Sequence, residues 1–339
     1  MKISILTFHN VPNFGAFLQV YALSKFISSY GHEVDIINLE LVPPNVSTAG
    51  KTLNYINNIK FKQYRSNFLS LTKKIDNFSE LDDYDLYIVG SDQVWNKDIT
   101  KKNYLKYFFE GLGENKNIIS YAGSFGKNKW IYDTSETAQI KALLNKFNAI
   151  SVRESIGAEF CTEYLSLDSE IVVDPTLLLD NYDELVKVKK VKENQIACFK
   201  FSRDSSFYSF AKQIKNLGFE LIELRGLFPN KGTRIVPFPS VGDWLGYIKY
   251  APFVLTDSFH GLCFSIIFNK NFIVIPADLS KFNRIENILK LLGLEDRIFR
   301  SYNEILSDNR WMKPIDYNLV NDKLGKLREQ SRDFLLRFL

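Results

Sequence analysis

Short apolar runs alternate with longer stretches of 3.6-residue periodicity, the pattern of parallel strands covered by helices. Residues 2–8 read as a first strand and 15–30 as a helix, which Gly31 stops before a second strand at 33–38. Leu86–Val89 and residues 118–121 are apolar runs of buried-strand length. Helix 134–146, strand 149–152, helix 155–164 and strand 171–173 follow. A polar, lysine-rich stretch at 180–194 then interrupts the rhythm and reads as a linker. Beyond it come strand 196–201, helix 206–217, a stop at Gly218 and strand 219–224. Helix Val241–Tyr250, strand Phe253–Thr256, helix 261–269, strand 272–275 and helix Asn283–Leu292 complete a second series. Residues 320–339 form an amphipathic helix by pattern, with Leu324, Leu327, Phe334, Leu335 and Phe338 on its apolar face. The expected architecture is α/β: two Rossmann-like domains (1–180 and 181–319) facing a central cleft, with a separate C-terminal helix at 320–339.

Composition narrows the function classes. At 339 residues, 45% hydrophobic and 24% charged, the chain is ordinary globular material, long enough for two cores. Its net charge of +4 is too mild to point to nucleic acid. The three cysteines (Cys161, Cys198, Cys263) lie in apolar runs and show no zinc spacing, so they read as buried thiols and no metal is expected. The N-terminus has no long apolar leader pattern, and no run approaches the roughly 20 apolar residues of a membrane span. A cytoplasmic location is therefore expected, and the sequon at Asn45 reads as chance. Residues 41–75 contain no acid but carry Lys51, Lys60, Lys62, Arg65, Lys73 and Lys74, interleaved with Tyr55, Phe61, Tyr64 and Phe68. That stretch has two readings: a solvated helical face, or a peripheral membrane contact through 51–74 that accepts a lipid-linked diphosphate.

Polar and glycine-bearing segments fall after strands rather than at both strand ends, which places candidate chemistry where α/β folds bind ligands. In residues 256–261 a strand gives way to a helix, so Ser258 and His260 stand near free N–H groups that favour an anion. His260 can donate a proton there; the plainer reading is a capped helix with a packed imidazole. Arg153, after the 149–152 strand, reads either as a bidentate clamp for phosphate or carboxylate or as a partner of Glu154. Arg284 at a helix start faces the same choice, as do Lys200, Arg203 and Arg225. Asn10, Asn13 and Gly15 form a first βα loop suited to a polar ligand, though no dinucleotide fingerprint is present. Ser91, Asp92, Gln93 and Trp95 combine small backbone, carboxylate, amide and indole, a mixture suited to a sugar. Trp95 has the further reading of a core plug.

Taken together, residues 5–23, 84–96, 119–126, 150–154, 172–179 and 254–270 resemble the polysaccharide pyruvyl transferase family, in family order over some 270 residues. The resemblance implies two Rossmann-like domains of the B-type glycosyltransferase kind. It also implies transfer of the pyruvyl group of phosphoenolpyruvate onto two hydroxyls of a sugar as a ketal, in cell-wall, capsule or exopolysaccharide synthesis. No cofactor is implied beyond that donor substrate. On this resemblance His260 protonates the enol-ether carbon and Arg153 holds the donor. The family often carries Arg-Leu-His where this chain has Ser258-Phe259-His260, and Arg284 is the expected replacement cation. Two other classes stay open: a nucleotide-sugar glycosyltransferase on the same scaffold, and a non-catalytic binding protein.

Overall fold

A computed structural model describes residues 1–39, 59–225, 232–276 and 282–339. The chain divides into two compact units, Met1–Leu179 with Lys326–Leu339, and Asp180–Gly325. The first unit runs β1 (Lys2–Leu6), α1 (Phe14–Ser28), β2 (Glu33–Ile36), a helix α2 described over 59–68, and β3 (Leu86–Val89). It continues through α3 (Lys97–Thr100), β4 (Ile118–Ser120), α4 (Thr134–Leu144), β5 (Ser151–Val152), α5 (Ser155–Phe160) and β6 (Glu170–Ile171). The second holds β7 (Gln195–Phe199), α6 (Ser205–Asn216), β8 (Glu220–Glu223), β9 (Thr233–Ile235), α7 (Val241–Tyr250) and β10 (Phe253–Thr256). After these come α8 (Phe259–Ile267), β11 (Asn271–Val274), α9 (Asn283–Leu292), α10 (Tyr302–Ser307) and the long α11 (Tyr317–Leu336).

Both main sheets are wholly parallel, with strand orders β2-β1-β3-β4 and β11-β10-β7-β8-β9. Helices cover parallel sheets on both faces, which is why these strands read as unbroken apolar runs; β3 and β7 are buried along their whole length. The small β5–β6 pair joins the first sheet through bridges from Ile119 to Ala149 and from Gly123 to Val152. In each sheet the connections reverse direction once. The reversal lies between β1 and β3 in the first unit and between β7 and β10 in the second. Crevices at such reversals, outside the carboxyl ends of the strands, are where open α/β sheets hold ligands.

Two features of the first unit depart from the sequence pattern. Helix α1 is apolar almost all round because α2 covers the side the sheet leaves open. Ring pairs Phe14–Phe61, Phe17–Tyr64 and Tyr21–Phe68 join the two helices at 5.2, 5.8 and 5.9 Å. Within the described part of the basic stretch, then, the aromatic side chains pack inward and Arg65 is buried; Lys51 and Tyr55 lie outside the described residues. The last helix is not a separate body. From Lys326 onward α11 belongs to the first unit, where the Ser331 hydroxyl accepts the Val173 N–H at 2.9 Å and Arg328 binds the Leu177 carbonyl. Among the described residues no helix is long and apolar enough to cross a membrane.

Candidate functional site

In the second unit the reversal point is built around Thr256, Asp257 and Ser258. The Thr256 hydroxyl donates to the Phe199 carbonyl at 2.7 Å and accepts the Ser258 N–H at 3.0 Å, so the ends of β7 and β10 are fixed together. Asp257 accepts the N–H groups of Phe201 and Ser202 at 2.7 and 3.1 Å and pairs with the Lys200 ammonium at 3.2 Å. Lys200 also reaches the Ile275 carbonyl at 3.3 Å, tying β11 to the same point. Ser258 is the N-cap of α8, its hydroxyl accepting the Gly261 N–H at 3.3 Å. Helix α8 therefore starts two residues before the pattern suggested. A side chain at 261 would bring its Cβ to 2.4 Å from the Thr256 hydroxyl oxygen, and glycine there lets helix and strand approach this closely.

The consequence for His260 is its place: the second residue of α8, within the first turn, where N–H groups lack helical acceptors and the dipole is positive. It is 9% exposed and packs edge-on against Phe259 at 5.3 Å. Arg284, in the first turn of α9, lies 5.7 Å from the centre of the other ring system, Phe259. Phe259 thus connects the two groups that the sequence marked for the donor, and Ser258, His260 and Arg284 fall in one neighbourhood. Next to it, a cavity of about 390 Å³ opens at the ends of β7 and β11, lined by Lys200, Ser202, Asp204, Ser206, Arg300 and Tyr302 among others. Arg300 and Tyr302 carried no signal in sequence because they come from a loop and helix start a hundred residues beyond Lys200. Of the other cations considered, Arg203 is tied to Glu223 at 2.6 Å and Arg225 lies over the Phe201 ring at 4.5 Å.

The first unit treats its residues differently. Asn10 and Asn13 are exposed in the loop after β1. Asn13 is the N-cap of α1, accepting the Gly15 and Ala16 N–H groups at 2.9 and 3.3 Å, so Gly15 belongs to the helix turn rather than to an open loop. Ser91 is fully buried, its hydroxyl donating to Gln19 at 3.0 Å. Gln19 in turn donates to the Thr7 hydroxyl and the Ala16 carbonyl, both at 3.0 Å. This amide, hidden in the apolar pattern of α1, fixes the β1 and β3 loops together and was not singled out from sequence. Trp95, expected to face a sugar, is completely buried: it stacks on Phe108 at 5.4 Å and donates to the Tyr107 carbonyl at 3.0 Å. Its indole is core, and that expectation is corrected. Gln93 is half-buried and accepts from the Asn96 amide at 2.9 Å.

Arg153 is corrected on the same ground. Its side chain is 2% exposed and its guanidinium binds Asp174 at 2.7 Å, with Glu154 and Asp92 at 3.5 and 3.6 Å. Burial alone would lower its pKa, but Asp174, Glu154 and Asp92 outweigh burial and hold it above the usual arginine value. Three carboxylates already surround this one cation, so it offers little field to an anionic donor. Of its partners, Asp92 keeps the most accessible carboxylate and adopts a left-handed backbone, φ 72°. Among the described residues no cluster of side chains has the makings of a metal site.

Two parallel α/β units, each with a reversal point, define a two-domain protein of the B-type glycosyltransferase fold. Solved structures of that fold align over nearly the whole chain. S. aureus MnaA in a co-structure with UDP is 12% identical and has a TM-score of 0.55, covering 100% of this chain and 97% of that one. The UDP-GlcNAc 2-epimerase of Neisseria meningitidis, bound to UDP-GlcNAc, is 10% identical with a TM-score of 0.54, covering 99% and 100%. At such identities the likeness concerns fold alone. The family model for polysaccharide pyruvyl transferases matches residues 13–278, and the chain belongs to that family of transferases. No curated protein matches it in sequence.

Proposed function

We propose that the protein transfers the pyruvyl group of phosphoenolpyruvate to two hydroxyls of one sugar, forming a ketal and releasing phosphate. The observation that carries this reading is His260 in the first turn of α8, beside the reversal point of the second sheet, in a chain of this family. In the reaction His260 gives a proton to the methylene carbon of the donor, making a methyl group and an oxocarbenium centre at the adjacent carbon. A sugar hydroxyl attacks that carbon and loses its proton. Departure of phosphate regenerates an oxocarbenium centre, which the second hydroxyl closes to the ketal with loss of its own proton. One hydroxyl proton thus ends in the methyl group by way of His260, and the other leaves with phosphate.

The donor's negative charge is assigned to the N–H groups at the start of α8, with Ser258 shaping the turn and Arg284 supplying the cation. Arg153 has no part in donor binding on this reading; it fixes the loop that carries Asp92. The acceptor is assigned to the first unit, at the loops that carry Asn10, Asn13, Asp92 and Gln93. The test is incubation with phosphoenolpyruvate and a panel of saccharides, following acceptor mass and inorganic phosphate together. Ketal formation with one phosphate per transfer is expected. Phosphate release without acceptor gain, or turnover only with a nucleotide sugar, overturns the reading.

A further inference from the structure

Arg65 stands apart from the other buried charges of the described residues. It is 8% exposed, yet it makes no side-chain hydrogen bond and no ion pair among the described residues, and its Nη1 is wholly shielded. Arg153, Lys200 and Arg297, equally buried, each have carboxylate or carbonyl partners. Shielding part of a guanidinium without a counter-charge is costly, and an anion at that edge would offset the cost.

Its surroundings are specific. Arg65 lies one turn beyond Phe61, on the face of α2 that packs against α1. The chain leaving α2 runs beside the end of β2: Ile36 donates to Ser70 O at 2.8 Å, and the Asn38 N–H donates to the Thr72 hydroxyl at 3.0 Å. The Asn38 side chain meets His9 Nε2 at 3.2 Å, while His9 Nδ1 lies 3.2 Å from the Thr7 carbonyl. His9 lies three residues past the end of β1, at the reversal point of the first sheet. Burial holds the imidazole below its ordinary pKa despite the contacts to Thr7 and Asn38, and the charge of Arg65 adds to the depression. Burial likewise lowers the pKa of Arg65 itself. The charge of Arg65 thus reaches the end of β1 where His9 lies, and among the described residues no acid is paired with either group.

We propose that Arg65, with His9 and Asn38, forms a subsite for a phosphate ester carried by the acceptor. The assignment to the acceptor rests on the reading above; the anion subsite does not. A planar guanidinium suits two phosphoryl oxygens at once, and His9 and Asn38 supply neutral polar groups beside it. A saccharide assembled by group transfer carries such an ester at its anomeric carbon. The carrier beyond it, nucleoside or polyprenyl, would present the same phosphoryl chemistry.

The test uses the full chain and inorganic pyrophosphate as probe. Calorimetric titration of the wild type is expected to show saturable binding, weakened at least tenfold in Arg65→Met and less in Arg65→Lys. Acetate at equal ionic strength should not compete. Without added anion, Arg65→Met should unfold at the same or a higher denaturant concentration than wild type, since no partner is stranded. Unchanged pyrophosphate affinity in Arg65→Met, or loss of binding in Arg284→Ala instead, overturns the subsite. So does a clear fall in anion-free stability of Arg65→Met together with an equal fall in Glu40→Gln, the one acid within residues 40–58, because the two would then be internal partners. With acceptors, Arg65→Met should raise KM for diphosphate-linked saccharides and leave that for the free sugar unchanged. A nucleoside diphosphate sugar and a polyprenyl diphosphate saccharide in vesicles, assayed separately, identify the carrier. Pyrophosphate binding lost in Arg65→Met alongside absent ketal formation would sink the proposed reaction and keep the subsite.

Discussion

The two reversal points have similar topology, and their most prominent cations are held in different ways. In the first unit the most obvious cation, Arg153, lies among Asp174, Glu154 and Asp92, and its loop is further fixed by the buried contact of Ser91 with Gln19. In the second, Lys200 pairs with Asp257, and His260 and Arg284 approach one aromatic ring at helix starts. Both arginines looked alike in sequence, each at a strand end or helix start. The finished fold separates them: Arg153 is enclosed by carboxylates and organises structure, while Arg284 lies over the Phe259 ring beside His260 and is the cation we propose for the donor.

Exchanging the histidine gives the largest contrast. His260→Ala should still fold, because the cap of α8 is made by Ser258 and not by the imidazole, yet lower phosphate release by about 10²- to 10⁴-fold, the range for a general acid. Single-turnover measurement with saturating donor checks this, and a rate within a few-fold of wild type removes His260 from the chemistry. Arg153→Ala should do the reverse. Leaving buried carboxylates without their cation costs about 3–5 kcal/mol of stability, read from the denaturant midpoint. Donor affinity in the fraction that stays folded should hold. A stable Arg153→Ala protein with weakened donor binding would reverse the roles assigned to the two arginines.

Much of this was legible in the chain. The strand–helix alternation places both sheets, because parallel strands buried on two faces must be apolar throughout and their helices must keep one apolar stripe. The placement of polar tetrads after strands marked both reversal points. Side-chain burial was not legible. The motif of residues 90–96 reads as a sugar-binding mixture, but Trp95 is taken by Phe108 and the Tyr107 carbonyl, groups from the 3₁₀ segment Lys101–Phe108, a stretch the sequence pattern assigned to no element. Arg153 was misread for a related reason: Asp174, 21 residues away, meets it only once β5 and β6 pair. Gln19 gave no signal because one amide inside an apolar helix looks the same in sequence whether it is a defect or a tie.

The smallest effect tests how the donor's turn is held. The Ser258 hydroxyl stands where the family resemblance implies an arginine, and in this fold it caps α8 rather than presenting a charge. Losing an N-cap of this kind costs about 1 kcal/mol, so Ser258→Ala should lower the unfolding midpoint slightly and reduce turnover a few-fold through looser placement of His260. Ser258→Arg asks the sharper question. If Arg284 is the donor's cation, a second guanidinium at 258 should bring little gain in donor affinity and should lose the cap. If affinity rises tenfold or more, Arg284 is not filling the family position and the donor's charge is only partly met in this chain. The comparison between the two units then narrows to that one site, because pairing would no longer be the sole reason that Arg153 is excluded from the donor.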